Sequence, residues 1–144
     1  MVDATATLMR IQALVGMGWS LERIGRRVDP EATKPSEFRM ILGRKRVTRG
    51  MALRVAKVFD ELWNVDGGSV RAVNFAIKRG WKIADPEVVE RLVAGIETPH
   101  NRIERDVAIR IVARNTAKFP SLNVIALHVR TSIPIVRRVL SDAA

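Results

Sequence analysis

The sequence predicts an all-α fold: two helix-turn-helix units joined by a helical connector. Three observations predict it. Apolar residues recur at three- and four-residue spacing along the chain, and no stretch alternates over strand length. One pattern occurs twice, as Leu21, Ile24, Gly25, Val28, then Phe38, Ile41, Leu42, and again as Leu122, Ile125, Ala126, Val129, then Val136, Val139, Leu140. Between the apolar stripes stand residues that start and stop helices, chiefly serine, threonine, aspartate, glycine and proline.

Taken in order, a first helix is expected near Ala4 to Met17, with Leu8, Ile11, Leu14 and Val15 on one side; Gly16 and Gly18 break it. Ser20 caps a second helix, Leu21 to Val28, because its hydroxyl can accept an orphan backbone N–H. Asp29-Pro30 ends it. A third helix is expected from Thr33 or Lys34, with Pro35 in its first turn and Gly43 as a left-handed terminator. Thr48 caps a fourth helix reaching about Trp63, with the stripe Met51, Val55, Val58, Phe59 and Leu62. The run Asn64-Val65-Asp66-Gly67-Gly68 reads as the clearest break and the expected domain boundary. Ser69 then caps Val70 to Arg79, Gly80 stops it, and Trp81 is expected to plug a core. Asp85-Pro86-Glu87 starts the next helix and Gly95 stops it. A longer helix from about Asn101 to Arg114 should turn Ile103, Val107 and Ile111 inward. Phe119-Pro120-Ser121 opens the second copy. The expected domains are therefore 1–64, a connector 65–99, and 100–144.

The chain carries a net charge of +10 over 144 residues, with a pI near 11.3. Residues 1–64 hold 12 Lys and Arg against 7 Asp and Glu, and residues 65–144 hold 13 against 8, so each half is +5. A polyanion is the partner such a surface selects, and double-stranded DNA is the partner expected here. The absence of cysteine excludes disulfides, thiol catalysis and the commoner zinc sites, and fits a reducing cytoplasm. The apolar run Ala13 to Trp19 falls far short of the roughly 18 residues of a membrane span, and the N-terminus lacks signal-peptide character. The expected location is the cytoplasm.

In the second copy Val129 and Val136 are seven positions apart, and Val136 and Val139 three, the usual helix-turn-helix register. That register puts Arg130 where the turn favours glycine, and a left-handed arginine costs about 1 kcal/mol. In the first copy Val28 and Phe38 are ten apart, so Asp29-Pro30-Glu31-Ala32 reads as an insertion in the turn. The outward face of the second helix offers Lys34, Ser36, Glu37, Arg39 and Met40 in copy one. In copy two it offers Ser132, Ile133, Pro134, Arg137 and Arg138, with Arg130 in the turn. Arginine can bond guanine bidentately, glutamate can accept from cytosine, and Met40 or Ile133 can meet a thymine methyl. Ser36 and Ser132 suit phosphates. Arg44, Lys45, Arg46 and Arg49, beyond the third helix, are expected to clamp phosphates rather than read bases.

The stretch ILGRKRVTRGMALRVAKVF resembles the lambda-repressor-like class. IQALVGMGWSLERIGRRV, VTRGMALRVAKVFDELW and RAVNFAIKRGW together resemble helix-turn-helix proteins of mycobacteriophages and other actinobacterial phages. The closing ERDVAIRIVARNTAKF and IALHVRTSIPIVRRVL resemble their second helix-turn-helix. The resemblance covers most of the chain and rests on order and hydrophobic pattern. It implies sequence-specific binding to phage or host DNA, in some members as an immunity repressor.

The residues point away from catalysis. His100 and His128 are far apart in the sequence, and Glu87 with Glu90, or Arg102 with Asp106, fit helix dipoles and local ion pairing. No phosphate loop, nucleophile elbow or metal-spaced acidic cluster occurs, so neither an enzyme nor a cofactor is expected. With no Tyr and four Phe, a stacking platform for single strands has little to build on. The expectation is a DNA-binding transcriptional regulator, a phage-type repressor, whose two unlike motifs read an asymmetric bipartite site. A non-specific architectural binder, a recombination accessory factor and a protein-interaction module are the alternatives. A homodimer or a host protein contact would supply the partner for the last.

Overall fold

The computed structural model describes residues 1–31 and 35–142, and they form an all-α fold with one two-residue-per-strand ladder. The chain divides into two compact units, Met1–Ile83 and Ala84–Ala144.

The first unit contains α1 (Thr5–Gly16), α2 (Leu21–Val28), a 3₁₀ helix (Pro35–Gly43), α3 (Arg49–Leu62) and α4 (Val70–Arg79). Ser20, Thr48 and Ser69 each accept the N–H three residues on, at Arg23, Met51 and Ala72, so the three predicted caps form. Helix α1 packs on α3 and α4 and buries Ile11, Leu14 and Val15 almost completely. Val55, Val58, Phe59 and Leu62 of α3 are buried with them, while Met51 is half-exposed. Each such large side chain removed from water contributes about 1.5–3 kcal/mol, so this layer holds the unit together.

Three features depart from the sequence reading. The third helix is 3₁₀ rather than α, and its predicted start at Thr33 or Lys34 lies outside the described residues. At three residues per turn, Phe38 and Ile41 fall on one line, which is the line that packs against α2. Ile41 is 5% exposed and Phe38 half-buried, whereas Met40, one line over, is 67% exposed. The element closes with the Arg44 N–H on the Ile41 carbonyl at 3.0 Å, so Gly43 is not needed in the left-handed region and does not adopt it.

The second departure is a ladder where no strand was expected. Val2–Asp3 (β1) pairs antiparallel with Arg46–Val47 (β2), Val2 opposite Val47. Val47 is buried, and the Ala4 N–H donates to the Lys45 carbonyl at 3.0 Å, which fixes the basic run beside the chain start.

The third departure concerns the expected boundary. Residues 64–69 are stitched to the loop after α1: Gly67 N–H donates to the Met17 carbonyl at 2.9 Å, and Ser69 N–H to the Gly18 carbonyl at 3.0 Å. The Trp19 indole N–H donates to the Val65 carbonyl at 2.9 Å. Helix α4 then packs on α1 and buries Ala72 and Ala76, so the first part of the expected connector belongs to the first unit. Trp81 is half-buried beside Phe75, edge to face at 5.4 Å, rather than a core plug.

The second unit contains α5 (Pro86–Val93), α6 (Arg102–Ala113), α7 (Leu122–Val129) and α8 (Ile133–Asp142). Asp85 caps α5 with Pro86 in its first turn, Asn101 caps α6, and Ser121 caps α7. Helix α6 is central, packed by α5, α7 and α8. It buries Ile103, Val107, Ala108, Ile109 and Val112, while the predicted inward Ile111 is only half-buried. Val129, Val136 and Val139 join that core, as their spacing predicted.

A helix buried on several sides must also bury charge. Asp106 meets Arg105 at 2.9 Å and Arg102 at 3.8 Å. Glu104, 7% exposed, accepts the Asp85 N–H at 3.0 Å and so ties the start of α5 to α6. Burial raises the Glu104 carboxyl above the ordinary glutamate range; the Asp85 hydrogen bond lowers it, the Asp85 and Glu97 carboxylates raise it, and Arg91 lowers it.

Candidate nucleic-acid interface

In the second unit, α7 and α8 pack against each other across a turn made by Arg130 and Thr131. Arg130 takes φ 63 and ψ 52, the left-handed conformation the seven-residue spacing demanded. The N–H groups of Arg130 and Thr131 both donate to the Ala126 carbonyl, which closes the end of α7. The Arg130 side chain donates to the Gly95 carbonyl at 3.1 Å and to Thr98 Oγ1 at 3.2 Å. Arg130 therefore braces the turn against the loop after α5, and this occupies a cation expected at the DNA surface. His128 braces the end of α5, with Nε2 2.7 Å from the Val93 carbonyl and its ring edge-on to Phe119 at 4.7 Å. Beyond the turn, Ser132, Pro134, Arg137 and Arg138 are exposed, and Ile133 is 37% exposed. Arg137 and Arg138 have no side-chain partner among the described residues. One face of α8 thus joins two guanidiniums to an apolar tip.

In the first unit, α2 and the 3₁₀ helix pack closely because Gly25 leaves room: a Cβ there would stand 2.9 Å from Phe38 Cβ. Lys34 lies outside the described residues, as do the side chains of Ser36 and Glu37. Arg39, Met40, Arg44, Lys45 and Arg49 are exposed. Arg46 is exposed too, but donates to the Met1 carbonyl at 2.6 Å, so part of its donor capacity is spent on the ladder. The side chains of Arg44, Lys45 and Arg49 have no partner among the described residues, and the three positions follow one another between the 3₁₀ helix and the start of α3.

Arg39 has a setting that the sequence did not reveal. It lines a cleft of about 430 Å³ with Ser20, Glu22, Ser69, Arg71 and Phe75, over a floor of Val15, Leu21 and Ala72. Arg71 belongs to α4, beyond the expected boundary at 64–68, and so escaped the sequence reading. The other cations near α2 are committed: Arg23 donates to the Gly67 carbonyl and lies 4.3 Å over the Trp19 ring, Arg27 lies 5.2 Å over the same ring, and Arg26 pairs with Glu22 at 2.6 Å.

Charge is shared unequally between the units. The first holds 16 Lys and Arg against 8 Asp and Glu, for +8, and the second 9 against 7, for +2. Among the described residues no group of three or more His, Asp or Glu could hold a metal ion, and no helix is long and apolar enough to cross a membrane. No protein-family model, curated protein or solved structure matches this chain.

Proposed function

We propose that the protein is a sequence-specific double-stranded DNA-binding regulator of the phage-repressor type, working by occlusion of a promoter. The observation that carries the reading is the joint one of exposure and charge. The first unit concentrates +8 and leaves Arg44, Lys45 and Arg49 exposed beside its helix pair. The second unit is nearly balanced, yet its α7-turn-α8 presents Ile133, Arg137 and Arg138 from a turn of the usual register. In this reading the first unit supplies most of the phosphate attraction, and the second adds base contacts from α8. Because the two motifs differ in their outward residues, one chain reads an asymmetric bipartite site.

Titration of the full chain onto duplex DNA at several salt concentrations tests the reading. Each neutralised phosphate contributes a slope of about −0.9 in log K against log salt, so a steep slope is expected. Lys45→Ala should weaken binding to all sequences alike and make the slope about 1 unit shallower. Arg137→Ala should relax base choice at one position, at a cost of about 1–3 kcal/mol on the preferred site. A uniform loss for Arg137→Ala, with base choice lost in Lys45→Ala, would contradict these roles.

A further inference from the structure

We infer that the cleft between α2, the 3₁₀ helix and α4 seats a phosphodiester of the bound duplex, gripped by Arg39 and Arg71. The inference rests on the DNA-binding reading and extends it to α4, an element outside both helix-turn-helix patterns.

Two guanidiniums on different elements line one cleft of about 430 Å³. Both residues are exposed, and neither guanidinium has a carboxylate or hydrogen-bond partner among the described residues. Two like charges facing one cleft repel each other and invite a shared anion. A tetrahedral phosphate suits the forked donors of arginine better than any other side chain, because each guanidinium can hold two oxygens. Ser20 and Ser69 stand on the same rim. Each hydroxyl oxygen already accepts a backbone N–H, from Arg23 at 3.3 Å and Ala72 at 3.2 Å. Its proton is therefore left to donate to an oxyanion. Glu22, the carboxylate on this rim, is paired with Arg26 at 2.6 Å. The buried Val15, Leu21 and Ala72 floor the cleft, and Ala72 anchors the helix that carries Arg71.

The position also fits its surroundings. Arg44, Lys45 and Arg49 follow the 3₁₀ helix that carries Arg39, so a strand held by them has a further anchor on the same unit.

The test compares the full chain with Arg71→Ala, Arg71→Lys and Lys82→Ala on random-sequence duplex across a salt series. Lys82 is exposed beyond Gly80 and does not line the cleft, so its variant removes the same charge without touching the proposed site. Arg71→Ala should lose affinity several-fold and make the salt slope shallower by about 1, with base preference unchanged. Arg71→Lys should recover part of the affinity, and Lys82→Ala should stay near the parent chain. Melting temperatures are expected to match, since Arg71 is exposed. Equal losses in Arg71→Ala and Lys82→Ala would mean that net charge alone counts, and would overturn the site while leaving DNA binding intact. A parent chain that binds no duplex overturns both readings. A third arm separates the two sources of phosphate, by melting the chains in inorganic phosphate and in chloride at equal ionic strength. A phosphate-specific rise lost in Arg71→Ala, with duplex binding unaffected by that substitution, would assign the cleft to a free anion and overturn the backbone contact.

Discussion

Arg130 holds φ 63 in a tight turn, where an L-residue with a Cβ is strained by about 1–2 kcal/mol. Its guanidinium recovers part of that through Gly95 and Thr98. Two substitutions separate the terms. Arg130→Ala keeps the strain and loses the bracing, so it should destabilise the chain by about 1 kcal/mol; Arg130→Gly should be more stable than Arg130→Ala by about 1 kcal/mol. Denaturant unfolding of both variants checks this, and the reverse order would deny the strain. The turn was legible because spacing alone fixes a left-handed residue between Val129 and Val136. The bracing was not legible, because Gly95 and Thr98 lie more than thirty positions upstream. Glu104 belongs to the same class of unreadable residue, since its burial comes from the packing around α6. Its carboxyl is raised in the fold, so the neutral form is the one the fold favours. Its contribution is fully present in acid below the ordinary carboxyl value and is lost as pH rises through the raised value. Glu104→Gln should therefore raise the melting temperature near neutral pH, with the gain fading in mild acid. An equal gain at both pH values would show that titration is not the cause.

At the scale of elements, the helices were legible wherever a capping residue met a periodic stripe. Ser20, Thr48, Ser69, Asp85 and Ser121 all mark real starts. Two-residue strands were not, because periodicity needs more positions than Val2–Asp3 and Arg46–Val47 provide. The 3₁₀ helix cannot be told from an α-helix by spacing, because Phe38 and Ile41, three apart, fit both periods. The segment 64–69 shows how composition misleads. Gly67 and Gly68 look like linker, yet Gly67 is there for space: a Cβ would stand 2.4 Å from the Gly18 carbonyl carbon and oxygen. Backbone cannot yield as a side-chain tip can. Gly67→Ala should therefore destabilise the chain by about 1–3 kcal/mol, as overpacking does, and a neutral result in thermal unfolding would contradict the close approach.

Across the whole molecule, the division at Ile83 and Ala84 changes what each part owns. A cut near residue 64 gives equal charges, whereas the structural division gives +8 and +2. The difference lies in residues 65–83, where Arg71, Lys78, Arg79 and Lys82 outnumber Asp66. A fragment of residues 1–83 should unfold cooperatively, because it keeps α4 on α1. A fragment of residues 1–64 should be much less stable, because it uncovers the α1 face that α4 packs against. Similar unfolding midpoints for the two would deny that packing its role.

One chain is proposed to read duplex DNA by sequence with two unlike heads. Selection of the full chain against a random double-stranded DNA library at near-physiological salt tests it most directly. A long, asymmetric motif in two parts is expected, with the part read by α8 weakened in Arg137→Ala. Binding without an enriched motif, or a clean inverted repeat requiring two chains, would contradict it.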